Sequence, residues 1–187
     1  GKTFTGIASA VELYKDLKEL TKTEGITLNS IMQYIWHKVL SIYGNSNQST
    51  VGVTVSGRSL PIEGIENSVG LYINTLPVIV THNQSMRLID AIKQIQTDIN
   101  EVNIRSNTSL AKLQKDGERL FDSLFVYENY PTPINERIEN EIKIQFKEAI
   151  EKLDYPLAII AYEVSNKLIF SIKYAGELFS KESINRI

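Results

Sequence analysis

The sequence predicts an α/β protein: a mixed β-sheet with helices packed on it in two layers. Three observations predict it. Leu28–Tyr43 carries apolar residues at helical spacing along its whole length. Thr50–Ser56 alternates at strand spacing. Leu157–Ala161 is a nearly continuous apolar run.

The first helix is expected over about Ser9 to Thr23, with Ala10, Leu13, Tyr14, Leu17 and Leu20 on one face and Gly25 as its stop. Thr27 can cap the second helix, whose stripe is Leu28, Ile31, Met32, Ile35, Trp36, Val39, Leu40 and Tyr43. Gly44 is expected to end it in a left-handed conformation, before a polar turn over Asn45–Ser49. In Thr50–Ser56, Val51, Val53 and Val55 face one way and the small residues Gly52, Thr54 and Ser56 the other.

Gly57–Ser68 reads as a loop and Leu71–Val80 as a second strand, which Pro77 confines to an edge or a bulge. Arg87–Ile104 is a third amphipathic helix, with Leu88, Ile92, Ile95, Ile99 and Val102 as its stripe, and Ser109–Gln114 a short one. Four strands are expected after it: Leu120–Tyr127, Glu141–Glu148, Pro156–Val164 and Leu168–Tyr174. The run Leu157–Ala161 suits a central strand buried on both faces. Asn166 and Lys167 make the last turn, and Ser180 caps a closing helix. The expected order is α-α-β-β-α-α-β-β-β-β-α.

A chain of 187 residues with 42% hydrophobic content suits one ordinary domain. With 20 basic and 22 acidic residues and no basic run, neither nucleic acid nor an anionic membrane is an expected partner. The absence of cysteine excludes disulfides, thiolate metal sites and a cysteine nucleophile; it is compatible with a reducing compartment, and the expected location is cytoplasmic. Gly1–Gly6 has no signal-peptide pattern and no initiator Met, and Ser180–Ile187 stops inside a helix. Both ends are those expected of a piece of a longer chain, with a processed mature protein as the plainer reading.

Few residues point to chemistry. The two histidines, His37 and His82, are paired neither with each other nor with a carboxylate at any recognised spacing, and read as structural or surface groups. There is no metal-ligand cluster, phosphate-binding glycine loop or nucleophile elbow. Glu136, Glu139 and Glu141 read as a solvated charged face. What stands out is polar content in a strand-loop-strand unit: Ser56-Gly57-Arg58 ends one strand, and Asn74-Thr75 interrupts the next. A buried amide or hydroxyl must be hydrogen-bonded. By composition alone, Asn74 and Thr75 satisfy backbone at a bulge made by Pro77, and Arg58 makes a loop-end salt bridge.

Thr54-Val-Ser-Gly-Arg58, Gly64-Ile-Glu-Asn67 and Val69-Gly-Leu-Tyr-Ile-Asn-Thr-Leu-Pro77 resemble the second-half motif of nonribosomal peptide synthetase condensation domains. Leu120–Pro131, Ile26–Trp36 and Tyr174–Phe179 resemble further blocks of that family, in the right order. One block departs: Asn103–Ser109 stands where the family often has a His/Asn-Gln-x-x-x-Pro segment.

The resemblance implies a lobe similar to chloramphenicol acetyltransferase, the C-terminal one of two, walling a tunnel between them. Ser56, Gly57, Arg58, Gly70, Tyr72, Asn74 and Thr75 would line that tunnel. It implies no bound cofactor, the phosphopantetheine arms of carrier proteins being tethered substrates. The implied partners are the N-terminal lobe, peptidyl carrier domains and an adenylation domain. The family's catalytic His-His-x-x-x-Asp-Gly motif is absent from these residues, so the chain alone is expected to be inactive. A non-catalytic docking module, or the lobe of an epimerization or heterocyclization domain, stays open at this point.

Overall fold

A computed structural model describes residues 2–7, 11–56, 73–105, 120–128, 155–164 and 166–187, with the side chains of all of these but 3–7, 11, 55, 56, 73, 74, 128 and 164. Its elements are β1 (Lys2–Ile7), α1 (Val11–Glu24), α2 (Leu28–Tyr43), β2 (Gln48–Ser56), β3 (Ile73–Thr81), α3 (Leu88–Ile104), β4 (Ser123–Glu128), β5 (Leu157–Val164), β6 (Lys167–Tyr174) and α4 (Lys181–Asn185). The chain divides into two compact units, one of Gly1–Lys15 with Val126–Ile187 and one of Asp16–Phe125.

In the unit of Asp16–Phe125, β2 is the middle strand. It pairs antiparallel with β3 from Gln48↔Thr81 to Ser56↔Ile73, and parallel with β4 at Gly52↔Leu124 and Val53↔Phe125. The sheet is therefore mixed, as expected. Helices α2 and α3 pack on each other and on these strands. Alternation puts Ser49, Val51 and Val53 on one face of β2, and Ser49 bonds to His37 of α2, so that is the helix-covered face. Val51, Val53, Leu76, Val78, Ile31, Met32, Trp36, Ile92, Ile95 and Ile99 are buried in this unit. Gln96 of α3 fastens the α1–α2 turn. Its Oε1 accepts from the Thr27 amide and the Ser30 hydroxyl, and its Nε2 donates to the Gly25 carbonyl, each at 2.9 Å.

In the other unit the strand order runs β1-β6-β5 and on to β4. Pairing is antiparallel at β1–β6 and β5–β6. Leu157 to Ala161 are all buried, as a strand between two neighbours requires. Ser180 caps α4 by accepting from the Ser183 amide. The left-handed residue before β6 is Asn166, at φ 57°.

Two expectations change, and one pair of alternatives is decided. Strand β1 was not expected: Lys2–Ile7 holds two large apolar residues and a glycine, and it is a strand because its backbone completes the edge of β6. Gly44 is not left-handed; its φ is −81°, and the positive φ falls on Asn45, at 47°. Asparagine tolerates that region, and Gly44 is close-packed instead, since a Cβ there would lie 2.9 Å from the Leu40 carbonyl oxygen. The β2–β3 register also runs through Pro77 without a bulge. Of the two expected alternatives it is the edge: among the described residues β3 ends the sheet, where an amide missing from the ladder is tolerated. The expected Ser109–Gln114 helix, Glu141–Glu148 strand and Gly57–Ser68 loop lie outside the described residues. Among the described residues no helix is long and apolar enough to cross a membrane.

Candidate functional site

Of the residues singled out for the tunnel wall, Gly57, Arg58, Gly70 and Tyr72 lie outside the described residues. The other three meet at one end of the β2–β3 pair: Ser56 lies opposite Ile73, Val55 opposite Asn74, and Thr54 opposite Thr75. Directly opposite residues share a face, and consecutive ones do not. Thr75 thus shares a face with Thr54 and Gly52, away from α2, and is 6% exposed. Asn74 occupies the alternate register position, that of Val53 and Leu76.

The face of Thr75 has a specific neighbour. A Cβ on Gly52 would overlap the ring of Phe121, which is itself buried. Glycine at this strand position lets an aromatic ring lie against the backbone. The ring therefore sits beside the Thr54–Thr75 pair, one step along the same face.

The helix-covered side holds polar groups that sequence reasoning missed. Trp36 Nε1 donates to Ser123 Oγ at 2.8 Å, both residues buried. His37 Nδ1 lies 2.7 Å from Ser49 Oγ, which lies 3.2 Å from His82 Nε2. The two histidines read as separate are thus joined through one serine. The available signal was Ser49 itself, a hydroxyl two residues before Val51 on the face destined for the core. Burial drives the His37 pKa down to about 3, aided by His82. The His82 pKa is lowered too, by burial first and then by Lys38. His82 also lines a small cleft of about 90 Å³ with Tyr34, Lys38, Asn83, Gln94 and Asp98.

The other unit has its own cluster. Tyr14 Oη donates to Glu163 Oε2 and Tyr127 Oη to Glu163 Oε1, each at 2.7 Å. Burial, then the hydrogen bond and charge of Glu163, pushes the Tyr14 pKa up to about 12; the same causes raise that of Tyr127. These positions are too far apart in the chain for any local pattern to mark them. Among the described residues no cluster of three His, Asp or Glu side chains could hold a metal.

A family model described as "Condensation domain" matches residues 3–187. The chain is 43% identical over 180 residues to N-(5-amino-5-carboxypentanoyl)-L-cysteinyl-D-valine synthase of Amycolatopsis lactamdurans, covering 91% of this chain and 5% of that protein. It is 43% identical over 181 residues to the synthase of the same name from Penicillium rubens, covering 92% of this chain and 5% of that protein. The chain thus spans about 5% of the length of these curated relatives. Among solved structures, the first condensation domain of the CDA synthetase superposes with a TM-score of 0.74 at 10% identity, over 99% of this chain and 42% of that one, a likeness of fold. The chain belongs to the condensation domain family of nonribosomal peptide synthetases.

Proposed function

We propose that this chain is the C-terminal lobe of a condensation domain. The parent domain forms an amide bond between a carrier-tethered acyl or peptidyl donor and an aminoacyl acceptor thioester. The observation that carries the reading is a family match across residues 3–187 in a sequence without a His-His pair. The two histidines it has are joined to each other through Ser49. On this reading the chain supplies one wall of the tunnel, and the N-terminal lobe supplies the catalytic histidine.

Ser56, Gly57, Arg58, Gly70, Tyr72, Asn74 and Thr75 form that wall. Hydrogen bonds from them orient the phosphopantetheine arm and its thioester. Holding two tethered reactants in line removes much of the entropic barrier to their meeting. Within the wall, Thr75 lies on the face of the β2–β3 pair opposite to α2. The partners are the N-terminal lobe, peptidyl carrier domains and an adenylation domain, in the cytoplasm; the arms are substrates and no cofactor is bound.

The test uses the full two-lobed domain loaded with both carrier substrates. Asn74→Leu and Thr75→Val should each lower amide formation about tenfold or more while the fold is kept, the loss expected when an orienting hydrogen bond is removed. Unchanged turnover in both would reject the wall. In the same assay the 187 residues alone should form no amide; turnover above background would reject the division of labour.

A further inference from the structure

The hydrogen-bonded chain of His37, Ser49 and His82 has no part in the tunnel reading. It links three elements of the unit Asp16–Phe125. His37 on α2 is fully enclosed, Ser49 on β2 is buried, and His82 is half-buried just after β3. His37 Nε2 is buried and has no hydrogen-bond partner among the described residues.

That orphan atom orients the whole chain. A buried N–H without an acceptor is rarer and costlier than a buried lone pair without a donor. Neutral His37 therefore carries its proton on Nδ1 and donates it to Ser49 Oγ. The Ser49 hydroxyl has one proton, and its remaining neighbour is His82 Nε2, so it donates there. His82 then carries its own proton on Nδ1. The chain runs one way and ends on the His82 Nε2 lone pair.

We propose that this chain is an acid-released latch, holding α2 to the joined ends of β2 and β3 only while both imidazoles are neutral. A proton taken up at His82 Nε2 turns the terminal acceptor into a donor. Ser49 Oγ then faces two N–H groups, and its own proton loses its acceptor. A proton on His37 Nε2 would be a buried N–H with no acceptor among the described residues.

The surroundings offset the charge only in part: backbone hydrogen bonding at His37 favours protonated His82 and that at Ser49 favours protonated His37, but burial outweighs both. From α2, Tyr34 stands edge-on to His82 with ring centroids 6.3 Å apart, and Lys38 adds a second positive charge. From α3 the titratable group lining the cleft is Asp98, whose Oδ1 already accepts from Gln94 at 3.0 Å. The neighbours from β2 and the end of β3 are Gln48, Thr81 and Asn83, which do not titrate.

Both histidines have pKa values lowered in the folded state, so the latch is intact above the ordinary histidine value near 6.5 and weakens as pH falls below it. Each ring freed by opening adds up to about tenfold to the opening equilibrium for each pH unit below that value.

The test is amide hydrogen exchange of the whole chain at about pH 7.5 and about pH 5.5, corrected for intrinsic exchange, with imidazole nitrogen shifts followed by NMR. Opening at Gln48–Thr50 and Val80–His82 should rise about tenfold if the His37 ring is freed and further, by up to about another tenfold, if His82 is freed as well, while β5 and β6 stay unchanged. His82→Gln keeps an acceptor for Ser49 but cannot titrate, so it should remove one of those factors. The latch is overturned if His82→Gln retains the full pH response, if both wild-type rings titrate near 6.5, or if His37 carries its proton on Nε2. The last two readings come from the wild-type chain and decide the matter even if the variant fails to fold.

Discussion

In the unit Asp16–Phe125, His37, Ser49 and His82 satisfy one another as neutral groups; in the other unit, Tyr14 and Tyr127 direct both hydroxyl protons onto the carboxylate of Glu163. The first cluster is centred on a ring with 0% exposure, the second on a half-buried side chain. The difference follows from solvation. A charge in an enclosed apolar site costs far more than hydrogen bonds return, so the groups there shed it. A half-buried carboxylate keeps part of its hydration and needs only two good donors. One cluster is thus governed by packing and neutrality, the other by charge-assisted hydrogen bonds.

The largest effect should come from breaking the packed side. Trp36 is 2% exposed and donates to buried Ser123. Trp36→Ala should cost about 3–5 kcal/mol in chemical denaturation, from the cavity and the hydroxyl left without its donor. A loss near that of a surface substitution would mean that this unit is not organised around its core.

The contrast between the clusters is sharpened by pH, with opposite signs. Lowered histidine pKa values make stability full above about 6.5 and lose it as pH falls toward 3, the folded value for His37. A raised tyrosine pKa does the reverse: stability is full below the ordinary value of 10.0 and is lost as pH rises toward about 12, the folded value for Tyr14. Near-UV circular dichroism against pH should show an acid-side and an alkaline-side transition. Hydrogen exchange should assign the first to β2–β3 and the second to β4–β5. Both transitions appearing in the same segment would remove the distinction.

A smaller effect should come from Tyr127→Phe, which takes one hydroxyl donor from Glu163. The expected cost is about 1–2 kcal/mol, at the low end for a hydrogen bond to a charged group because the site is partly solvated. The same substitution should move the remaining alkaline transition of Tyr14 little, since its own bond to Glu163 persists. Ultraviolet titration of tyrosinate formation would measure it.

The alternation in β2 and the apolar run of β5 were legible because local periodicity reports burial, but the stripe of α2 was legible only in part: Leu28, Ile31, Met32 and Trp36 are buried, Ile35 and Tyr43 are exposed, and Gln33, His37 and Ser41 are buried beside them. The Thr27 and Ser180 caps, the helix stop at Gly25 and the turn at Asn166 follow from local chemistry as well. Less was legible at the candidate site. The motif marked Ser56 and Asn74-Thr75 as neighbours in the chain's logic, but only the register puts Thr75 beside Thr54 and Gly52 and assigns Asn74 to the alternate position.

What the sequence determined by itself is the family and, among the described residues, every element but β1, because both rest on residue types at short, regular separations. What the tertiary structure decided is which distant groups meet. It brought Lys2–Ile7 to the edge of β6, seated Phe121 on Gly52, and joined His37 to His82 through Ser49 and Tyr14 to Tyr127 through Glu163. These unions carry no local signature. They arise because sheet register and helix packing close long loops, and the polar groups trapped between the elements must then find partners among whatever the fold has brought within about 3 Å.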